Sequence, residues 1–69
     1  MDNFLNIAKN MYEGFRQEDL SDDKTWVRFM KNWEYFNDRY NSKLLDALIE
    51  VVFKYLKGEL KGKIKNDHV

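Results

Sequence analysis

Between residues 44 and 56 the chain carries apolar side chains around most of a helical circumference, and this run limits what the rest of the molecule can be. At about 100° per residue, Leu44, Leu45, Ala47, Leu48, Ile49, Val51, Val52, Phe53, Tyr55 and Leu56 leave only a polar strip about 80° wide. Lys43, Asp46, Glu50, Lys54, Lys57 and Lys61 fill that strip. A helix of this kind must be covered on several sides. The run Val51-Val52-Phe53 would also suit a strand, but the helical charge strip through it and the lack of a second strand candidate argue against one.

Two further helices are available as cover. Over residues 3–17, Phe4, Ala8, Met11 and Phe15 recur at helical spacing, with Leu5, Ile7 and Tyr12 flanking the stripe. Over residues 22–40, Trp26, Phe29, Met30, Trp33, Phe36 and Tyr40 gather within an arc of roughly 120° and form a dense aromatic seam. Ser21 followed by Asp22 and Asp23 reads as an N-cap with carboxylates in the first turn. Asn41 suits a left-handed helix end, and Ser42 suits the N-cap of the third helix, residues 43–60.

The expected architecture is therefore an all-α three-helix bundle over residues 1–62, a single domain. Residues 63–69 form a charged tail, expected to fray. Two short companions cover the third helix incompletely, and a chain of 69 residues without cysteine lacks the disulfides that small domains use as staples. A homodimer is the expected remedy, with Leu45, Ile49, Val52, Phe53 and Leu56 at the subunit interface.

Several function classes recede on these grounds. The acidic start Met1-Asp2-Asn3 and the spaced apolar residues do not suit an export leader, and no stretch approaches the roughly 20 apolar residues of a membrane span. With no cysteine, a reducing compartment is the natural setting, and a cytoplasmic location is expected. The stretch Gly58-Glu59-Leu60-Lys61-Gly62-Lys63 resembles a phosphate loop only superficially. It has three residues between the glycines, not four, and Ile64 where a magnesium-binding Ser or Thr belongs. Glu18, Asp19, Asp22 and Asp23 follow no calcium-loop spacing, and the sole histidine, His68, sits in the tail. No catalytic, cofactor or metal residues are expected, and the chain reads as a non-enzyme.

One surface feature stands out. Lys24, Arg28, Lys31, Tyr35 and Arg39 share an arc of about 80° opposite the aromatic seam, with no acid inside it. Asp23, Glu34 and Asp38 form their own row to one side. The outer face of any helix tends to be charged. An aromatic set among cations, however, is what interfaces use to anchor a partner. The expected function is a small protein-interaction module, a regulator, adaptor or inhibitor, with those five residues as the partner-binding face. The composition suits a bacterial or phage accessory protein. The alternative is nucleic-acid binding by the same strip, helped by the C-terminal lysines, although the net charge of zero counts against it.

Overall fold

The structure, a computed structural model, describes the backbone of residues 2–67 and the side-chain surroundings of residues 3–62. Among the described residues there are three helices and no strands: α1, Asp2–Phe15; α2, Asp23–Tyr40; and α3, Lys43–Asp67. Phe4 meets Tyr40 at one pole, with ring centroids 5.5 Å apart, while Tyr12 meets Tyr55 farther along at 5.7 Å. α1 and α3 therefore run side by side in the same direction, and α2 returns antiparallel between them in sequence. The result is the expected three-helix bundle.

The aromatic seam of α2 builds the centre. Phe29 is fully buried, and its ring lies 5.1 Å from Phe15, 5.7 Å from Phe53 and 6.0 Å from Trp33. Two of these pairs are edge-on, the arrangement that sets a ring's positive rim against its neighbour's negative face. Burying a side chain of this size stabilises by about 1.5–3 kcal/mol. Ala8 and Met11 of α1, with Leu20 of the connection, close the core from the other side.

The α1–α2 connection is held by its own polar groups. The Glu18 amide donates to the Phe15 carbonyl, which ends α1 two residues before the expected Gln17. The cap of α2 differs from expectation in a similar way. Asp22, not Ser21, occupies it, with extended backbone and a carboxylate that accepts from the Lys24 amide at 2.9 Å. Ser21 instead donates its hydroxyl to the Asp19 carboxylate, an interaction that a short hydroxyl beside an acid offers in competition with capping. Thr25, 2% exposed and unmarked by sequence periodicity, donates to the Asp19 carbonyl, and the Trp26 indole donates to the Leu20 carbonyl, each at 2.8 Å. Both bonds tie the connection down over the first turn of α2.

Between α2 and α3, Asn41 adopts the left-handed conformation (φ 45°, ψ 50°) and its amide donates to the Asn37 carbonyl. The Ser42 hydroxyl accepts from the Leu45 amide at 3.3 Å, the expected cap.

Two expectations for α3 need correction. The helix does not end near residue 60 but continues through Gly58 and Gly62 to Asp67. Neither glycine has a positive φ, and a glycine inside an established helix costs only about 1 kcal/mol, less than is needed to stop propagation. The expected frayed tail therefore begins as helix. His68 and Val69 lie outside the described residues.

The second correction concerns the expected subunit interface. Leu45, Ile49, Val52 and Leu56 are buried within the single chain, and Phe53 is half-buried against Trp26, Phe29 and Trp33. α1 and α2 occupy this arc, so these five residues are core. The uncovered apolar face of α3 is a different one, bearing Leu44, Val51 and Tyr55.

α3 also outlasts its companions. The helices have 14, 18 and 25 residues, and at about 1.5 Å per residue α3 alone spans about 38 Å. That helix accounts for most of the 43 Å long dimension. Among its described side chains the last fully buried one is Leu56, Leu60 is half-buried, and Lys61 and Gly62 are exposed.

Candidate functional site

The amphipathic pattern of α2 decides which side chains remain available. With Thr25 and Phe29 in the core, and Trp26, Trp33 and Phe36 leaning on it, the residues one half-turn away must face outward. Lys24, Arg28, Lys31, Tyr35 and Arg39 are all exposed, and the structure keeps them on one face.

They are not equivalent. Arg28 is tied back to α1's side of the molecule by an ion pair and hydrogen bond to Glu18. The backbone carbonyl of Arg28 also accepts from the Asn32 side chain at 2.9 Å. Lys24, Lys31 and Arg39 form no ion pair with a described residue. Tyr35 is 56% exposed and meets Phe36 edge-on at 5.1 Å, so the ring is braced on one side and open on the other.

Arg39 lies over the Tyr40 ring, 5.7 Å from its centroid. A hydrogen bond with Tyr40, then the neighbouring Tyr35, hold its pKa above the ordinary arginine value. Arg39 is therefore a fixed positive charge between two phenols, with Phe4 packed under Tyr40. This end of the strip sets a guanidinium and two tyrosines on a packed aromatic base.

No family model, curated protein or solved structure matches the chain. Its chemistry has to be judged from its own side chains.

The acids of the first connection are each occupied locally. Glu18 holds Arg28, Asp19 holds Ser21, and Asp22 caps α2. Among the described residues no three His, Cys, Asp or Glu side chains gather to share a metal ion. Among them, too, no helix is long and apolar enough to cross a membrane.

A second polar cluster lies between α1 and α3. The Tyr12 hydroxyl donates to the Glu59 carboxylate at 2.5 Å, and Arg16 approaches the same carboxylate at 3.9 Å while lying 5.2 Å over the Tyr12 ring. The hydrogen bond to Glu59 is the main reason the Tyr12 phenol is held above its usual pKa. The phenol and the carboxylate clasp α1 to α3, with the Arg16 guanidinium lying beside them.

Sequence periodicity did not separate the buried from the outward arc of α3. The outward side chains Leu44, Val51 and Tyr55 are 44%, 60% and 63% exposed, and Leu5 of α1 is exposed alongside them. The signal that could have found them is the spacing i, i+7, i+11, which sets them on one line along the helix.

Proposed function

We propose that this chain is a non-catalytic protein-interaction module whose partner docks on the outer face of α2, centred on Tyr35 and Arg39. The observation that carries the reading is the exposed Tyr35 ring, braced by Phe36 beside the Arg39 guanidinium on a strip without acids. Tyr and Arg dominate binding energy where they can be desolvated together, and bracing lowers the entropy lost on docking. Lys24 and Lys31 extend the positive potential along the helix, so the partner is a protein that presents carboxylates around a shallow apolar seat. A reducing compartment such as the cytoplasm suits a chain without cysteine.

A nucleic acid fits the strip less well. Arg28 is engaged with Glu18, the acidic row of Asp23, Glu34 and Asp38 borders the face, and net charge is zero. The test is capture from native lysate with and without nuclease, comparing the parent chain with Tyr35→Ala/Arg39→Glu. Protein capture that survives nuclease and is lost in the double variant, with helical content unchanged, supports the reading. Capture that disappears with nuclease, or that persists in the double variant, overturns it.

A further inference from the structure

We infer that Glu18 sets the charge selectivity of the α2 face: it occupies the Arg28 guanidinium as an internal anion and so keeps polyanions off the strip. The inference rests on the reading of that face as a docking surface.

Without Glu18 the first half of the strip would be an unbroken cationic row. Lys24, Arg28 and Lys31 follow one another at three or four residues, about one turn each, with Arg28 in the middle. The Arg28 guanidinium, however, is ion-paired and hydrogen-bonded to Glu18 and lies 3.5 Å from the Thr25 hydroxyl. Thr25 stands on the edge of α2 that faces the α1–α2 connection, where it donates to the Asp19 carbonyl, so the charge is drawn off the row. The Arg28–Glu18 pair carries no net charge. The two lysines on either side of it are seven residues apart, about 10 Å along the axis.

The connection keeps the acid in place. The Glu18 amide donates to the Phe15 carbonyl at 3.0 Å, and the next two carbonyls, of Asp19 and Leu20, accept from Thr25 and Trp26. Thr25 and Leu20 are each 2% exposed, so this anchorage is buried beneath the pair. A carboxylate tethered in this way competes for Arg28 at a high effective concentration, which a single carboxylate or phosphate from solution does not match. A protein partner seated on Tyr35 and Arg39 loses little by that competition. A nucleic acid, which binds by summing phosphate contacts, loses one of few available cations.

The Arg28 and Glu18 side chains are 51% and 37% exposed, so the pair is screened by solvent and its removal should leave the fold intact. The test is fluorescence anisotropy with a short labelled duplex DNA, at low and at moderate salt, over a double-mutant cycle of Glu18→Gln and Arg28→Gln. Glu18→Gln should bind the duplex about two- to fivefold more tightly than the parent, the range that a surface ion pair commands. Its salt dependence should steepen by roughly one phosphate contact. Arg28→Gln should cost less than about twofold in the parent and the whole gain in the Glu18→Gln background.

Glu13, exposed on α1 with no ion pair to a described residue, supplies the control, because Glu13→Gln changes net charge equally without releasing a cation. Circular dichroism of every variant should match the parent. No gain from Glu18→Gln, an equal gain from Glu13→Gln, or an equal cost of Arg28→Gln in both backgrounds each overturns the inference. The docking reading fails separately, by protein capture that persists in Tyr35→Ala/Arg39→Glu whatever Glu18→Gln does to DNA affinity.

Discussion

The Asp46 carboxylate, in the first turn of α3, accepts a hydrogen bond at 2.8 Å from the indole of Trp33, 13 residues earlier on α2. Asn37 donates to the same oxygen at 3.0 Å. One acid thus closes the hinge between the two helices, and it lies where the helix dipole favours negative charge.

Replacing Asp46 with Ala should therefore loosen the α2–α3 corner without unfolding the bundle. Two partly exposed hydrogen bonds to a charged acceptor and the dipole contribution together are worth about 1–2 kcal/mol. The expected outcome is a Tm lower by several degrees and a red shift in tryptophan emission. Emission and Tm identical to the parent would show that the Trp33 contact contributes nothing in solution.

Phe29→Ala should be far more damaging. The ring is completely buried and touches four other aromatic rings, so its loss leaves a cavity costing about 3–5 kcal/mol. The whole stability of a chain this size is roughly 3–10 kcal/mol. Chemical denaturation should show the midpoint collapsing toward zero denaturant, with near-UV aromatic signal lost before far-UV helical signal.

Asn41 sits at φ 45°, where a side chain branched at Cβ is strained. Asn41→Gly should be neutral or stabilising by up to about 1 kcal/mol, and Asn41→Val should cost about 1–2 kcal/mol. Equal effects of the two on thermal melting would mean that the left-handed cap is absent in solution.

Tyr12 gives the fold an alkaline dependence. Its folded pKa is raised, chiefly by donation to Glu59, so the protonated phenol is the form that the folded state favours. Its contribution is fully present below about pH 10, the unfolded value. It is lost as pH rises from there through the higher folded value. The parent chain should therefore lose stability relative to Tyr12→Phe as pH climbs past that range, read by denaturant melts at successive pH values. Parallel pH profiles for the two proteins would refute the linkage.

Much of this bundle is written in the chain, for reasons that differ by element. α2 is legible because its aromatic seam and its charged face are separated by half a turn, and Asn41-Ser42 can serve only as an end and a beginning. α3 is less so. Its apolar residues cover three sides, and periodicity cannot say which arc the other two helices will occupy. Leu45, Ile49, Val52 and Leu56 look as suited to a neighbour as Leu44, Val51 and Tyr55, and only the position of α1 distinguishes them. Gly58 and Gly62 suit a helix end as well as a helix interior, so the length of α3 is not fixed by local sequence. Of the candidate site, the shared face of Lys24, Arg28, Lys31, Tyr35 and Arg39 is visible from spacing alone. The capture of Arg28 by Glu18 is not, because it depends on how the connection folds back.

The unequal lengths of the three helices have a practical consequence. With Phe4 and Tyr40 at one end of the body and the later turns of α3 at the other, a fluorescent reporter or affinity handle attached through the exposed Lys61 is held away from the Tyr35–Arg39 cluster. The same handle attached at the exposed Asn3, beside the Phe4–Tyr40 contact, would crowd that cluster, so the position chosen for immobilisation decides whether a binding measurement reads the molecule or the surface it hangs from.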